Sequence, residues 1–344
     1  MTATPVFEAG ALRAFARTCF ETAGLGSDQA AAVADVLVWA DLRGHGSHGV
    51  MRMPTYLGWI ASGLINKDAK PEVTLRKGAL LRVNGNMAIG AAAMTQATDL
   101  AIAQARETAV AWTLVQDHTH AGAIGFYADR IMKAGMAAVV MSALRPMMAY
   151  HGTRHAAAST NPLAMGIPGG ILLDMSTSAS SRGKVGVAKM AGKPIAPGIA
   201  IDKDGRPTTD PNLAETLLPM AGAKGAGLSL MIECLTSLAL GNPLISSALN
   251  DAKLMKNFKQ NSLVVAVDVS VLGGDITGQA AQLATTLKAQ ERAEGFDEIR
   301  LPGERGAREE AKRLKDGVPV PAKTWDLIAE AAGKLGVALP AQRA

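Results

Sequence analysis

Apolar residues recur at helical spacing through the first part of the chain, and they predict a helical N-terminal region. Residues 9 to 62 are expected to form helices. Ser27 followed by Asp28 predicts the N-cap of an Ala-, Val- and Leu-rich helix that runs to about Leu42, where Arg43-Gly44 ends it. Pro54 fits the first turn of another helix. The residues between these helices are therefore predicted to form a loop.

From about residue 72 the pattern changes to short apolar runs separated by longer amphipathic segments. The short runs predict strands at 73–75, 80–83, 111–115, 136–141, 171–174, 263–267 and 298–301. The longer segments predict helices at about 90–108, 225–240, 279–293, 306–315 and 323–335. Residues 178 to 213 are polar and rich in Gly and Pro, and they predict an ordered surface excursion such as a hairpin. Strands interleaved with helices indicate an α/β fold.

Composition narrows the function classes. The chain has 344 residues, 48% of them hydrophobic, with 35 basic and 30 acidic residues spread along it. There is no basic block and only 4% aromatic residues, which argues against nucleic acid as a partner. Two distant cysteines, Cys19 and Cys234, favour free thiols in a reducing compartment. With no signal-peptide pattern, and no apolar run judged long enough to span a bilayer, we expect a cytoplasmic protein without a membrane partner.

The predicted interhelical loop carries the most informative residues of the chain, Ser47-His48-Gly49 followed by Arg52. An imidazole can donate and accept a proton near neutral pH. A guanidinium matches a carboxylate with two parallel donors. This spacing suggests a site that binds a small acid and moves a proton beside it.

All six histidines lie between His45 and His155, which favours one assembled site and also raises the possibility of a metal. The metal interpretation is weak because no Cys and no His-Glu-x-x-His helix accompany them. His45 and His155 are expected to be structural. His120 follows a predicted strand and opens a loop with two glycines, so a functional histidine and an incidental one at a helix start are about equally favoured.

No Gly-x-Gly-x-x-Gly fingerprint follows an early strand. The run from Gly222 to Gly227, before an apolar helix, is the best phosphate-binding candidate, although such glycines also allow close helix packing. The loop Pro302–Arg305 is a second candidate with the same ambiguity. Hydroxyl clusters at 159–160 and 176–178, with Asp174, either line a cofactor pocket or form ordinary turns.

Taken together, these residues resemble the signature of the type 2 malate/L-lactate dehydrogenase family. That family includes ureidoglycolate, sulfolactate and diketogulonate oxidoreductases and the cyclic ketimine (piperideine-2-carboxylate) reductases. The matching motifs cover nearly the whole chain in order: Asp41-Leu42-Arg43-Gly44-x-x-Ser47-His48-Gly49-Val50-x-Arg52-x-Pro54, Gly63–Asn66, His120-x-Gly122-x-x-Gly125-x-Tyr127, Thr160-Asn161-Pro162, Asp174-Met175-x-Thr177-Ser178, Arg182-Gly183-Lys184, Asp202–Gly205, Lys224-Gly225-x-Gly227 and Leu301–Glu304.

The resemblance implies an NAD- or NADP-dependent enzyme without a metal that transfers a hydride to or from C2 of a small 2-hydroxy or 2-oxo acid. It also implies a homodimer with a non-Rossmann fold around a mixed sheet. A helical part, residues 1–75, would be joined by C-terminal helices (306–344) and packed with a cofactor-binding part, residues 76–305.

The resemblance further implies roles for individual residues. His48 is the proton donor, Ser47 orients it, and His120 is the second choice for acid/base work. Arg52 holds the substrate carboxylate and Tyr56 lines the pocket. The residues implied to bind the dinucleotide are Ser142, Thr160, Asp174, Met175, Ser176, Thr177, Ser178, Arg182, Lys224, Gly225, Gly303, Glu304 and Arg305.

The chain departs from the family pattern at residues 143–155, where an Asn- and Pro-rich loop is usual. His118 and Arg145 add imidazole and cationic groups beside the expected substrate pocket, and they favour either a second anionic group or an unusual substrate over simple lactate. Three alternatives to a 2-oxo acid reductase stay open: a cyclic ketimine reductase, a metal-dependent hydrolase or lyase that uses the histidine cluster, and a binding protein that has lost catalysis.

Overall fold

The structure is a computed structural model that describes residues 4–256 and 258–343. Its helices are α1 (Ala9–Thr22), α2 (Ser27–Leu42), α3 (Met53–Ala61), α4 (Gly90–Thr108), α5 (Gly125–Lys133), α6 (Arg182–Met190), α7 (Ala223–Thr236), α8 (Ile245–Asn250), α9 (Ile276–Lys288), α10 (Glu304–Asp316) and α11 (Ala322–Lys334). Its strands are β1 (Val6–Phe7), β2 (Glu72–Lys77), β3 (Leu80–Asn84), β4 (Val110–His118), β5 (Ala137–Ala143), β6 (Met148–Ala149), β7 (Ala156–Ala158), β8 (Leu163–Ile167), β9 (Ile171–Met175), β10 (Ala200–Ile201), β11 (Pro207–Thr208), β12 (Thr216–Leu217), β13 (Gln260–Val267) and β14 (Val318–Pro319).

The main sheet has the strand order β2-β3-β4-β13-β5-β8-β9. Only β3 and β4 are parallel neighbours, and every other pair in this sheet is antiparallel. The central strand β13 is buried along almost its whole length because it lies between β4 and β5 and is covered on both faces. The sheet is therefore mixed, and the predicted α/β class is confirmed.

The N-terminal and C-terminal segments pack on each other, as the resemblance implied. Strand β1 pairs with β14, and the rings of Phe7 and Trp325 lie 4.2 Å apart between centroids. Helix α2 is apolar on nearly all sides and most of its residues from Ala30 to Leu42 are buried, so it forms the centre of this helical layer. One apolar cluster runs from these helices to sheet residues such as Val115 and Val264. The boundary predicted between residues 75 and 76 stays a prediction.

Residues 178–213 form an ordered excursion, as predicted, in which α6 precedes a short hairpin of β10 and β11. These strands belong to a second, smaller sheet with the order β11-β10-β12-β6-β7. A separate small apolar cluster, with Met148, Val185 and Leu217, fills its interior. This excursion brings the start of α6 to the loop between α2 and α3, since a Cβ on Gly183 would lie 3.5 Å from the Cβ of Ser47.

Three local predictions were wrong. The N-cap of α2 is Gly26, and the Ser27 hydroxyl instead accepts a hydrogen bond from Arg17 at 2.6 Å. Residues 298–301 are not a strand, because among the described residues they pair with no strand and Glu298 forms ion pairs with charged neighbours. The helix predicted at 225–240 ends at Thr236 and continues as a 3₁₀ turn, Leu238–Leu240, before Gly241 at φ 66°.

The expectation that no apolar run is long enough to cross a membrane was also wrong. Ala223–Leu240 meets that criterion, with 18 residues at a mean hydropathy of 1.3. By length and composition alone one such segment is weak support for a membrane span, because core helices pass the same test. Here 39% of the segment is buried within the chain.

Candidate active site

Two consecutive 3₁₀ turns, Gly46–His48 and Val50–Arg52, connect α2 to α3 and carry the predicted catalytic residues. We call residues 46–52 the catalytic bend. Gly49 joins the turns because a Cβ atom there would lie 1.8 Å from Asp41 Oδ1. The N–H of Val50 donates to Asp41 Oδ2 at 2.7 Å. Pro54 lies in the first turn of α3, as predicted, and its ring restricts the backbone where the bend continues into this helix.

The structure brings His48 and His120 together. Their rings are nearly parallel, with 5.6 Å between centroids and 16° between planes. Ser47 Oγ lies 3.0 Å from His48 Nδ1, within hydrogen-bond distance. Both imidazoles are half-buried, so one face of the pair remains within reach of a small molecule.

Hydrogen bonds fix the tautomer of His120. The backbone N–H of Gly122 donates to His120 Nδ1 at 3.2 Å, so this nitrogen is an acceptor. The Tyr56 hydroxyl lies 2.6 Å from the same nitrogen and donates to it. The proton of the neutral ring therefore lies on Nε2. Burial raises the pKa of Tyr56, so the phenol keeps its proton and remains a donor.

Both histidines are neutral in the free protein. Burial is the largest cause that lowers the pKa of His48 to about 4, followed by the Arg52 charge and by His45. Burial, His48 and Arg52 lower the pKa of His120 well below its ordinary value. A negative charge brought in beside them would raise both values, so proton donation is coupled to binding of an anion.

Arg52 lies close enough to the two imidazoles for its charge to act on both. Its Nε donates to the carbonyl oxygen of Ser47 at 2.7 Å, which fixes the plane of the guanidinium. Within the described chain, no acceptor is bound to its two terminal nitrogens. These two N–H groups form the edge that binds a carboxylate with two parallel hydrogen bonds.

The structure does not place His118 with this group. Its side chain is fully buried, Nδ1 lies 2.7 Å from the carbonyl oxygen of Thr119, and Nε2 lies 2.9 Å from Ser262 Oγ. Both ring nitrogens are used within the core, and burial lowers the pKa to about 4. The substrate-binding role expected for His118 therefore has no geometric basis, and it is a core histidine.

Arg145 is connected to the active site through aromatic rings. Its guanidinium lies over Phe258 at 5.1 Å from the centroid, and Phe258 contacts Trp59, which contacts Tyr56. Burial and the charge of Arg182 lower the pKa of Arg145. Its buried Nε has no partner among the described residues. Arg145 and Arg182 are neighbouring cations, and Arg145 is incompletely paired. This arrangement suits a further anionic group.

Among the expected cofactor residues, one group surrounds the end of β9. The N–H of Thr177 donates to the carbonyl oxygen of Thr160 at 3.1 Å, and the hydroxyls of Ser176 and Ser178 lie 2.9 Å apart. Asp174 accepts from the N–H of Gly125 at the start of α5, and burial raises its pKa to about 6. Met175 ends the strand beside them. Carboxylate and hydroxyl groups in this arrangement suit the hydroxyls of a ribose.

A second group lies around the start of α10. Gly303 has φ of 90°, and a Cβ there would lie 2.9 Å from the carbonyl oxygen of Leu172, so this loop lies directly against β9. Arg305 is exposed on the side toward Gly44, and Arg182 and Lys184 are exposed at the start of α6. Glu304 is ion-paired with Lys288. The exposed cations suit the phosphates of a dinucleotide.

Two cofactor assignments fit poorly. The Ser142 hydroxyl is buried within the sheet and bonded to Ser262 at 2.9 Å. Gly225 is buried, and a Cβ there would lie 2.2 Å from the carbonyl oxygen of Met220. That glycine serves close packing of α7, which is the structural interpretation the sequence had left open. Lys224, one residue earlier, is exposed.

The sequence interpretation missed several residues that shape this site. Asp41 and Arg43 belong to the motif that carried the resemblance, but no role was assigned to them, and Gly122 was not expected to bind His120. The signal for Asp41 was its spacing from Gly49, because a carboxylate near the end of a helix can bind the backbone of the following turn. Among the described residues, no three His, Cys, Asp or Glu side chains lie close enough to hold a metal.

Comparison with known proteins shows the family of the chain. Residues 7–329 match the family described as Malate/L-lactate dehydrogenase. The chain belongs to that family. It is 32% identical over 321 residues to a malate/(S)-sulfolactate dehydrogenase of Methanothermus fervidus, which covers 92% of this chain and 94% of the relative. The family predicted from the motifs is thereby confirmed, and so is the prediction of a nicotinamide-dependent oxidoreductase of the 2-hydroxy acid dehydrogenase type.

Two solved structures show the same fold. The malate dehydrogenase of Entamoeba histolytica has a TM-score of 0.93 and 25% identity, and the match covers 98% of this chain and 100% of that chain. The Δ1-piperideine-2-carboxylate reductase of Pseudomonas syringae pvar. tomato has a TM-score of 0.84 and 27% identity, covering 96% and 100%. The family fold thus includes an enzyme named for a C=N substrate as well as enzymes named for hydroxy acids.

Proposed function

We propose that the chain reduces a small 2-oxo acid that carries a second anionic group, with His48 as the proton donor and Arg52 as the carboxylate-binding residue. The observation that carries this proposal is that the ring of His120 stacks beside His48 of the catalytic bend, and that the charge of Arg52, on the same bend, acts on both rings. Arg52 would bind the carboxylate next to the carbonyl group. When bound, reduced nicotinamide supplies the hydride to C2, while the carbonyl oxygen takes its proton from His48.

The geometry favours His48 over His120 as the acid. His48 Nδ1 faces the Ser47 hydroxyl, which can donate or accept, so this partner suits both the neutral and the charged ring. His120 Nδ1 accepts from the N–H of Gly122, which can only donate. Protonation of that nitrogen would leave a backbone N–H without its partner. His120 is therefore assigned to donate a hydrogen bond from Nε2 to the substrate oxygen.

The second anionic group is assigned to Arg145, whose neighbour Arg182 belongs to the expected cofactor residues. The charge of Arg182 is close enough to lower the pKa of Arg145. The guanidinium of Arg145 lies over Phe258, which contacts Trp59, and Trp59 contacts Tyr56. Relatives named for malate and sulfolactate act on substrates of this charge, which supports the proposal. Oxaloacetate and 3-sulfopyruvate are the corresponding 2-oxo acids.

We also propose binding of NAD or NADP without a Rossmann fold. The sheet has a single parallel pair, and Asp174, Ser176, Arg182, Lys184 and Arg305 supply groups for the ribose and phosphates. Several exposed cations near the site are compatible with the extra phosphate of NADP. Binding of NADH and NADPH, measured separately by fluorescence energy transfer from tryptophan, decides between the two.

A homodimer in the cytoplasm is proposed as well. Helix α7, the 3₁₀ turn after it and α8 expose large apolar side chains at Leu230, Met231, Leu238 and Leu249. Apolar patches of this kind are typical of subunit interfaces. Light scattering should give the mass of two chains, and Met231→Lys should lower the measured mass toward that of one chain.

The test of the reaction is a substrate panel followed by the absorbance of each reduced nicotinamide. We expect turnover with oxaloacetate or 3-sulfopyruvate to exceed turnover with pyruvate. Higher turnover with piperideine-2-carboxylate would favour the ketimine reductase instead. Loss of activity in EDTA, restored by zinc, would favour the metal-dependent alternative. Binding of NADH with no turnover of any of these compounds would favour a binding protein that has lost catalysis.

A further inference from the structure

The C-terminal end of α2, including its C-cap residue Arg43, carries two buried ionisable side chains that the mechanism above does not use. Asp41 is 6% exposed and Arg43 is 7% exposed. A buried charge is costly unless it is paired or hydrogen-bonded. The partners of these two residues lie in different parts of the active site.

Asp41 faces the catalytic bend. Its carboxylate bonds to the N–H of Val50 at 2.7 Å and lies directly against Gly49, so it contacts the junction between the two 3₁₀ turns. His48 lies on one of these turns and Arg52 on the other. The carbonyl oxygen of Asp41 accepts from Arg313 Nη1 at 2.6 Å, which joins this end of α2 to α10. The Asp41 carboxylate thus fixes the turns that bear the proton donor and the carboxylate-binding residue.

Arg43 faces the other way, toward the loop before α10. Its Nη2 donates to the carbonyl oxygen of Gly303 at 3.1 Å, and its Nη1 bonds to Glu310 Oε2 at 2.8 Å. The guanidinium lies 5.1 Å from the centroid of the Trp39 ring. A Cβ on Gly306 would lie 3.0 Å from Arg43 Nε, so the first turn of α10 packs directly on the guanidinium. Arg43 thus fixes the 303–305 loop, which is assigned to the dinucleotide.

We propose that Asp41 and Arg43 are separate positioning residues for the two ligands of one reaction. Asp41 sets the catalytic bend against α2, and Arg43 sets the cofactor loop against the same helix. The C-terminal end of α2 thereby fixes the separation between the groups that hold the 2-oxo acid and those that hold the dinucleotide. This inference rests on the proposed function.

The test measures the two ligands separately. Asp41→Ala should lower kcat/KM for oxaloacetate by about 100-fold, because a displacement of the bend by about 1 Å costs that much, while the Kd for NADH stays within about twofold. Asp41→Asn keeps an oxygen acceptor for Val50 and should recover most of this loss. Arg43→Lys should raise the Kd for NADH about tenfold, because lysine lacks the planar fork that binds both the Gly303 carbonyl oxygen and Glu310 Oε2. The KM for oxaloacetate at saturating NADH should be unchanged.

The control is Asp35→Asn, which changes an exposed carboxylate on the same helix and should alter neither ligand. If Asp41→Ala does not fold, Asp41→Glu keeps the charge, displaces the carboxylate, and should show the same selective loss for oxaloacetate. The inference is overturned if the Asp41 and Arg43 variants change the same kinetic parameter, or if they lower only Tm. A wild-type protein that neither binds NADH nor reduces a 2-oxo acid would instead overturn the proposed function.

Discussion

Replacement of Arg52 by lysine tests how the substrate is held. Arg52 Nε is already used on the carbonyl oxygen of Ser47, which leaves the two terminal nitrogens for a carboxylate. Lysine keeps the charge but loses both the fixed plane and one of two parallel hydrogen bonds. A hydrogen bond to a charged group contributes about 1.5–3 kcal/mol, and about 1.4 kcal/mol is a factor of ten. We therefore expect the KM for oxaloacetate to rise roughly 10- to 100-fold.

The assay is steady-state reduction of oxaloacetate at saturating NADH, together with NADH binding measured by fluorescence. The change in kcat should be much smaller than the change in KM, because the charge that acts on His48 is retained. Arg82→Lys is a matched control, since Arg82 Nε also bonds to an oxygen, Thr74 Oγ1 at 2.9 Å, on an exposed strand. An unchanged KM, or an equal loss of NADH affinity, would refute the assignment.

The remaining predictions concern the histidines and their partners. Tyr56→Phe removes one of two hydrogen bonds to His120 Nδ1, and kcat should fall by about 3- to 10-fold, measured against an unchanged Kd for NADH. His118→Ala should destabilise the fold by about 2–3 kcal/mol in urea unfolding because it removes two buried hydrogen bonds, to Ser262 Oγ and to the carbonyl oxygen of Thr119, with kcat per folded molecule near wild type. The proton donor must be charged for reduction and neutral for the reverse reaction, and the pKa of His48 in the free protein is about 4. The kcat/KM for reduction should therefore fall as pH rises from 5 to 8. The kcat/KM for oxidation of the hydroxy acid should not change over the same range. A kcat/KM for reduction that does not change with pH would argue against His48 as the acid.

The regular elements could be predicted where the pattern of apolar residues decided them. Helix α4 has the predicted bounds, 90–108, because an Ala-rich segment with a polar face has few alternative structures. Strand β13 begins at Gln260, earlier than the predicted 263. Its first residues are polar yet buried, because Asn261 Oδ1 accepts from the backbone N–H of Asp117 and Ser262 bonds to the side chains of His118 and Ser142, all far away in sequence. A pattern of hydrophobicity cannot show that a polar residue is satisfied in the core.

The site was predictable in its parts but not in its connections. Arg52 and His48 could be proposed from their chemistry and spacing, since they share one short bend. The fixed tautomer of His120 depends on the geometry of a loop and on Tyr56, from another helix. The contact of Arg43 with the loop at Gly303 joins residues 260 positions apart, and no local pattern indicates it. His118 was expected in the site from its sequence proximity to His120, which does not show that both of its ring nitrogens have partners in the core.

The most direct test of the account compares single-turnover reduction of oxaloacetate by His48→Ala and His120→Ala, with NADH affinity measured on the same samples. The account predicts that His48→Ala lowers the rate by roughly 10²- to 10⁴-fold with NADH affinity retained, and that His120→Ala has a smaller effect. A rate abolished in His120→Ala and retained in His48→Ala would contradict it, and the proton would then come from His120.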